Sequence, residues 1–215
     1  MWGAEEEEIF VMSAIINSIK NGSQETRDIT IYNIEKCFDA LWVQECLNTL
    51  NENGLDDEKL VLLHQETKNA KIAIKTATGI TERVDIQNTI MHGTVCGSPI
   101  CKAVVDKLTK IFYGDKNLLC MYKGKVEVPI LGMVDDVVNV DKCSNKTVTS
   151  IATINAFMEA NKLTLPHNKC SKIHIGKRCN NCPKLNVHDE QMKESQAETY
   201  LGDVINEDGK LDATI

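Results

Sequence analysis

The chain has 215 residues, with 24 Lys and Arg against 31 Asp and Glu, which gives a formal net charge of −7. Apolar residues make up 42 % of the chain and charged residues 26 %, an ordinary globular composition that excludes wholesale disorder and collagen-like repeats. No stretch reaches the ~18 apolar residues of a membrane span, and the acidic N-terminus is unlike a signal peptide, so we expect an intracellular, cytoplasmic or nuclear protein.

The first half of the chain alternates helical and extended patterns. Residues 5–21 carry apolar side chains at intervals of three to four, so they are predicted to form a helix. A β-branched run predicts a strand at 28–33. Two further helices are predicted at 39–51 and 56–67, and Asp56 caps the second of them.

The second half is predicted to contain more strands. In chain order the patterns indicate a hairpin (70–76 with 80–88), a Gly-rich loop (92–99), a helix (100–112), a second hairpin (118–122 with 126–131), a helix (144–161) and two strands (169–176 and 199–205). This order predicts an α+β fold in which helices cover one face of an antiparallel sheet.

Two adjacent carboxylates interrupt an apolar run and are the sharpest chemical signal in the chain. Asp135 and Asp136 stand inside the run 131–140, where burying two charges is costly unless they are paired or bind a metal. A tight turn between strands 130–134 and 137–140 would present both carboxylates at the tip of a hairpin. Such a pair can hold magnesium, which prefers oxygen ligands, and a solvated turn in an ordinary hairpin is the alternative.

A second segment adds a family pattern. Residues 33–39 (Asn-Ile-Glu-Lys-Cys-Phe-Asp), with Trp42 beyond, resemble motif A of reverse transcriptases, above all those of non-long-terminal-repeat (LINE-type) retroelements. That motif has the form Asp-x-x-Lys-x-Phe-Asp. Residues 134–136 (Val-Asp-Asp) resemble motif C of the same enzymes.

Three further segments resemble the remaining motifs, in the order of the family. His92-Gly93 with the Gly-Ser-Pro of 97–99 is similar to motif B, Lys169 is similar to the motif D lysine, and residues 200–205 (Tyr-Leu-Gly-Asp-Val-Ile) are similar to motif E. Each motif is weak alone, but the ordered set is specific. The chain is therefore identified as a degenerate and truncated member of this family.

The resemblance implies a polymerase palm with part of the fingers and without a thumb. In that family, two metal ions clamp the attacking and leaving oxygens of an in-line phosphoryl transfer. Carried over by position, the catalytic residues are at 33, 135 and 136, and Mg²⁺ or Mn²⁺ is the implied cofactor, held by Asp135 and Asp136. The implied partners are an RNA template, a DNA primer and deoxynucleoside triphosphates, although the acidic chain lacks the usual basic footprint of nucleic-acid binding.

The chain departs from the family at its first catalytic position. Asn33 offers one neutral carbonyl oxygen where motif A supplies a carboxylate, so we expect weak metal binding. Losing one contributor to transition-state charge stabilisation commonly costs ~100–1000-fold in rate. Three alternatives stay open: a tolerated structural polar residue at 33, an inactive retroelement remnant that at most binds nucleic acid or protein, and a small cation-binding domain unrelated to polymerases.

The resemblance assigns nucleotide binding to Phe38, Ile34, His92, Gly93 and Lys169. Phe38 corresponds to the aromatic residue that excludes a 2′-hydroxyl, and His92 stands where the family has glutamine. Gly93 suits a close approach of the backbone, and Lys169 would neutralise phosphate charge or donate a proton. An ordinary core residue at Phe38 and a solvated side chain at Lys169 are the competing interpretations.

The chain has nine cysteines. Cys179 and Cys182 have the spacing of half a zinc site without a clean second pair, so a weak zinc site and a polar hairpin with free thiols both stay open. The cysteines with mostly apolar neighbours are predicted to be core: Cys37, Cys46, Cys96, Cys101, Cys120 and Cys143.

We predict one reverse-transcriptase-like domain over 1–215. Its parts are an N-terminal helix and linker (1–27), a palm with part of the fingers (28–176), a Cys-containing polar connection (177–198) and a motif E strand with a tail (199–215).

Overall fold

A computed structural model describes residues 4–21, 27–68, 70–85, 90, 97–119, 121–122, 126–142, 145–176, 182, 184–209 and 211–213. The chain divides into two compact units, of which the first comprises 1–35 with 108–215 and the second comprises 36–107. No helix in these described ranges is long and apolar enough to cross a membrane.

The described helices are α1 (Ala4–Asn21), α2 (Cys37–Ala40), α3 (Val43–Glu52), α4 (Asp57–Thr67), α5 (Gly97–Gly114) and α6 (Asn145–Ala160), with a 3₁₀ turn at His167–Lys169. The described strands are β1 (Arg27–Asn33), β2 (Lys71–Ile72), β3 (Lys75–Thr76), β4 (Gly79–Ile80), β5 (Val84–Asp85), β6 (Met121–Tyr122), β7 (Val126–Glu127), β8 (Ile130–Met133), β9 (Asp136–Lys142), β10 (Cys170–Ile175), β11 (Asn186–Val187), β12 (Glu190–Gln191), β13 (Lys193–Glu194), β14 (Ala197–Tyr200), β15 (Asp203–Asn206) and β16 (Leu211–Ala213).

A five-stranded sheet in the first unit positions the candidate site. Its strand order is β13-β10-β1-β9-β8. The central strand β1 is antiparallel to both β9 and β10, and β13 joins the edge in parallel to β10. The α+β fold with a mainly antiparallel sheet is therefore confirmed.

One face of this sheet carries the apolar core of the unit. In β1, Ile29 lies opposite Val140 of β9 and Ile173 of β10, and Ile31 lies opposite Val138. These side chains are buried together with Met12, Ile16 and Ile19 of α1 and with Tyr200 and Ile205 of the β14–β15 hairpin. Period-two alternation along β1 puts Asp28, Thr30 and Tyr32 on the other face.

The second face of the sheet is covered by α6, which lies against β9. The Thr147 side chain of α6 reaches Asp28. Helices therefore cover both faces, because α1 packs on the face opposite α6. The sequence predicted the helix α1 but placed helices on one face of the sheet only.

The prediction of one strand at 199–205 is wrong, because the chain turns back on itself there. Tyr200 pairs with Asp203 across a two-residue turn. The turn residues Leu201 and Gly202 have φ of 49° and 87°, and two positive φ values are the requirement of a type I′ hairpin turn. Only the glycine signals this turn in the sequence, since leucine rarely adopts positive φ.

The predicted polar connection at 177–198 also contains structure. Its described part forms β11, β12 and β13, and Leu185, Val187 and Met192 are buried. Single apolar residues among polar ones gave no periodic signal, although each of them reaches the core. Residues 177–181 and 183 lie outside the described part.

Several predicted boundaries shift. The helix predicted at 39–51 is broken into α2 and α3 by extended backbone at Leu41 and Trp42, and the Trp42 side chain is exposed. Helix α5 begins at Gly97 instead of 100, since proline at 99 is tolerated in a first helical turn. The hairpin predicted at 118–131 shrinks to β6 with β7, because its last residues belong to β8.

The second unit is described by itself. Asp56 caps α4 as predicted, because its carboxylate accepts a hydrogen bond from the Lys59 backbone N–H at 3.1 Å. The predicted hairpin is present as β2 with β5 and β3 with β4, while residues 86–89 lie outside the described part. The described free cysteines 37, 46 and 101 are buried, as predicted, and positions 96, 120 and 143 are outside it.

Candidate functional site

The ends of β1 and β9 bring Asn33 and Asp136 together. The two residues lie opposite each other in the antiparallel register, and Asn33 Nδ2 donates a hydrogen bond to Asp136 Oδ1 at 2.9 Å. One residue further, the Ile34 backbone N–H donates to the Asp135 carbonyl at 2.8 Å. The side-chain partner of Asn33 is therefore Asp136, and Asp135 contacts the same segment through its backbone carbonyl.

A strained turn presents the two carboxylates. Met133 pairs with Asp136, so Val134 and Asp135 form the two-residue turn of the β8–β9 hairpin and Asp136 begins β9. Only one of the aspartates is therefore at the tip, where both were predicted. Val134 has φ of 58°, which is rare for a β-branched residue and costs of order 1–3 kcal/mol.

We expect Val134→Gly to stabilise the protein by up to ~1 kcal/mol, because relief of the left-handed strain exceeds the entropy that glycine adds to the unfolded chain. The matched control is Val148→Gly, which removes an exposed valine from α6 and should cost ~0.5–1 kcal/mol. Urea unfolding of both variants measures the difference. Equal losses in the two variants would show that Val134 is not strained.

The charges of Asp135 and Asp136 favour an uncharged side chain at position 33, next to Asp136. Burial raises the pKa of Asp136 first, and the charge of Asp135 raises it further, while the hydrogen bond from Asn33 lowers it. The Asn33 amide therefore acts as a donor to the carboxylate anion. An aspartate at the same place would instead add a third negative charge.

Sequence reasoning missed a contact from α1 on the same face of the sheet. The Tyr200 hydroxyl donates a hydrogen bond to Glu8 Oε2 at 2.7 Å. Burial, followed by the hydrogen bond and charge of Glu8 and the charge of Asp136, raises the pKa of Tyr200, so the phenol stays a neutral donor. Glu8 is one of four consecutive glutamates at positions 5–8, and nothing in that run distinguishes it as the partner of a tyrosine.

The remaining candidate residues lie in several places. The Ile34 side chain is buried, and Lys169 is exposed in the 3₁₀ turn before β10. Phe38 belongs to α2 of the second unit and is half-buried, and its carbonyl accepts a hydrogen bond from the Ile90 N–H. Cys182 is half-buried. Three candidates lie outside the described residues, namely His92, Gly93 and Cys179.

The donor set offers two carboxylates and one amide. Asp135 and Asp136 supply hard oxygen ligands, which is the chemistry that Mg²⁺ and Mn²⁺ require. Asn33 takes the third place with a neutral group whose N–H bonds Asp136. In the described ranges, no group of three or more His, Cys, Asp or Glu side chains is arranged to hold a metal ion.

Comparison with known proteins identifies the fold. No family model and no curated protein matches the chain. Among solved structures, apo telomerase from Candida tropicalis aligns with a TM-score of 0.65 at 12 % identity, covering 97 % of this chain and 36 % of that one. The form truncated from its C-terminal domain gives 0.60, at 14 % identity, over 93 % of this chain and 38 % of that one.

Telomerase from Candida albicans, in complex with a fragment of telomeric RNA, aligns with a TM-score of 0.59 at 11 % identity and covers 96 % of this chain and 33 % of that chain. The chain thus spans between 33 % and 38 % of the length of these telomerases. Telomerase is an enzyme related to reverse transcriptases, so the chain has a reverse-transcriptase-like fold.

Proposed function

We propose that the chain is the palm of an RNA-directed DNA polymerase of LINE-type retroelement origin, whose nucleotidyl transfer is impaired because Asn33 stands in place of the motif A aspartate. The carrying observation is the contact between Asn33 and Asp136 across β1 and β9. It joins the two segments that resemble motifs A and C, in a fold similar to that of telomerase.

The proposed roles follow from the donor set. Asp135 and Asp136 hold the divalent cation, and Asn33 contributes at most a neutral oxygen. When bound, Mg²⁺ or Mn²⁺ polarises the attacking and leaving oxygens of phosphoryl transfer. With one anionic ligand fewer, the chain is expected to bind the cation weakly.

The proposed partners are an RNA template, a DNA primer and deoxynucleoside triphosphates. Exposed Lys169, in the same unit as the carboxylates, is available to a phosphate. Phosphate contacts dominate nucleic-acid affinity, so a chain of net charge −7 should bind template and primer weakly.

Primer extension on an RNA template tests the proposal. We expect Asn33→Asp to raise nucleotide incorporation ~100–1000-fold over the natural chain in Mg²⁺ or Mn²⁺, since a lost contributor to charge stabilisation is restored. The double variant Asp135→Asn with Asp136→Asn sets the background. Incorporation by Asn33→Asp at that background would reject the proposal.

The second candidate is an inactive remnant that binds nucleic acid or a protein partner. The Asn33–Asp136 hydrogen bond favours it, because the amide already satisfies an oxygen that a metal would use. Two results together would support this candidate over the first: the chain retains a labelled RNA–DNA duplex, and Asn33→Asp incorporates nucleotides only at the background level.

A further inference from the structure

Three ionisable side chains form a buried row across the centre of the sheet, on the face covered by α6. Asp28 of β1 lies directly opposite Asp141 of β9 on one side and opposite His174 of β10 on the other. Asp28 and Asp141 are fully buried, and His174 is 6 % exposed. Ionisable side chains are rarely buried to this extent unless each of them is paired.

Asp28 has partners that suit an anion. His174 Nδ1 lies 2.8 Å from Asp28 Oδ1, and since a carboxylate only accepts, the imidazole donates. On α6, the Thr147 hydroxyl lies 3.3 Å from Asp28 Oδ2. One oxygen of Asp28 thus contacts β10 and the other contacts the first turns of α6. The dipole of α6 also favours an anion at this end of the helix.

The surroundings of Asp141 differ from those of Asp28. Neither of its oxygens makes a hydrogen bond of ordinary length to a described residue. The groups around it are Asp28, the Lys146 and Ser150 side chains of α6, Asn139 of its own strand, and the Tyr32 phenol. Burial, together with the charge of Asp28, outweighs the favourable effects of Ser150, Lys146 and Asn139 and raises the pKa of Asp141 to about 6.

The arrangement supports one negative charge better than two. Directly opposed residues of an antiparallel pair have their Cβ atoms about 4.5–5.5 Å apart, so two carboxylates there repel each other. Water is excluded from this site, so burying each charged carboxylate is costly. A proton on one of the two carboxylates removes their repulsion and also the cost of burying that charge.

We propose that Asp141 binds a proton in the folded protein, and that the layer between α6 and the sheet loosens when this proton is lost. The inference does not depend on the proposed polymerase function, because it rests only on the Asp28–Asp141–His174 row and on α6.

The direction of the pH dependence follows from the difference between the pKa of Asp141 in the folded chain and its pKa in the unfolded chain. An aspartate in an unfolded chain has a pKa of ~3.9, whereas folded Asp141 has a pKa of about 6. A raised folded-state value stabilises the fold below pH ~4, and this stabilisation is lost as the pH rises through 6. The full effect is ~100-fold in the folding equilibrium constant, of which about tenfold falls between pH 5 and pH 7.5.

The test compares wild type, Asp141→Asn and the control Asp189→Asn, an exposed aspartate of the same unit, at pH 5 and pH 7.5. The comparison of variants decides, because wild type and Asp141→Asn share every other titratable group. Hydrogen exchange of the 145–160 peptide, corrected for intrinsic rates, and urea unfolding are the measurements. In wild type and control we expect α6 to exchange faster, and the folding equilibrium to weaken about tenfold, at the higher pH.

Asp141→Asn should abolish most of this pH difference and be more stable than wild type at pH 7.5. A variant that keeps the wild-type pH dependence would overturn the proposal. Carboxyl ¹³C NMR of the natural chain gives an answer even if the variant does not fold. The Asp141 resonance should titrate near pH 6, and a midpoint near pH 4 would overturn the assignment.

Discussion

Asn33→Asp is expected to make the free energy of unfolding depend on divalent cations. Without a cation, the variant loses the 2.9 Å hydrogen bond to Asp136 and sets a new carboxylate against it, which should cost ~1–3 kcal/mol. Mn²⁺ that binds only the folded state raises the free energy of unfolding by ~2.7 kcal/mol when its concentration is about 100 times its dissociation constant. Thermal unfolding in EDTA, MgCl2 and MnCl2, at matched ionic strength, measures both effects.

The control for this prediction is Asn186→Asp, which makes the same chemical change at an exposed position of β11 in the same unit. Its unfolding temperature should respond to Mn²⁺ as that of the wild type does. If the natural chain gains as much from Mn²⁺ as Asn33→Asp does, a third anionic ligand is not what limits metal binding. A response confined to Asn33→Asp places the new cation site at position 33.

This metal experiment and the primer-extension assay report on different parts of the proposal. Metal-dependent stability in Asn33→Asp requires only that the carboxylates converge at the ends of β1 and β9. Nucleotide incorporation also requires template, primer and nucleotide to bind. A variant that gains the first property without the second would have a working metal site in a chain that does not support catalysis.

The strands around the candidate site could be predicted because local pattern and tertiary structure agree there. The β-branched run of β1 and the apolar run of β8 and β9 are strong signals, and both aspartates were predicted at the tip of the hairpin. The register was one residue off, because the turn consists of Val134 and Asp135. A non-glycine residue with positive φ at the first turn position carries no sequence signal.

The buried row could not be predicted, for a different reason. In β1 the alternation of Asp28, Ile29, Thr30, Ile31 and Tyr32 is typical of a strand with one apolar and one solvated face. The structure covers both faces, and Asp28, Thr30 and Tyr32 are as buried as the isoleucines. Alternation shows which residues share a face, but whether a helix covers the polar face depends on tertiary packing.

The two carboxylates of this row are expected to respond oppositely to the same substitution at pH 7. Asp28→Asn should destabilise the fold by ~3 kcal/mol, because His174 loses its anionic acceptor in a buried place. Asp141→Asn should stabilise it by up to ~3 kcal/mol, because the substitution removes a charge and burial raises the pKa of that carboxyl to about 6. Urea unfolding at pH 7 measures both changes.

The double variant Asp28→Asn with Asp141→Asn separates pairing from repulsion. If the two carboxylates repel each other, Asp141→Asn stabilises the protein less once the charge of Asp28 is gone. The free energy of unfolding of the double variant should then be ~0.5–3 kcal/mol lower than the sum of the two single effects predicts. His174→Gln provides an independent check, since it weakens the same hydrogen bond from the other side and should approach the loss seen in Asp28→Asn. Strict additivity, or a loss of stability in Asp141→Asn, would mean that the two carboxylates do not share one negative charge.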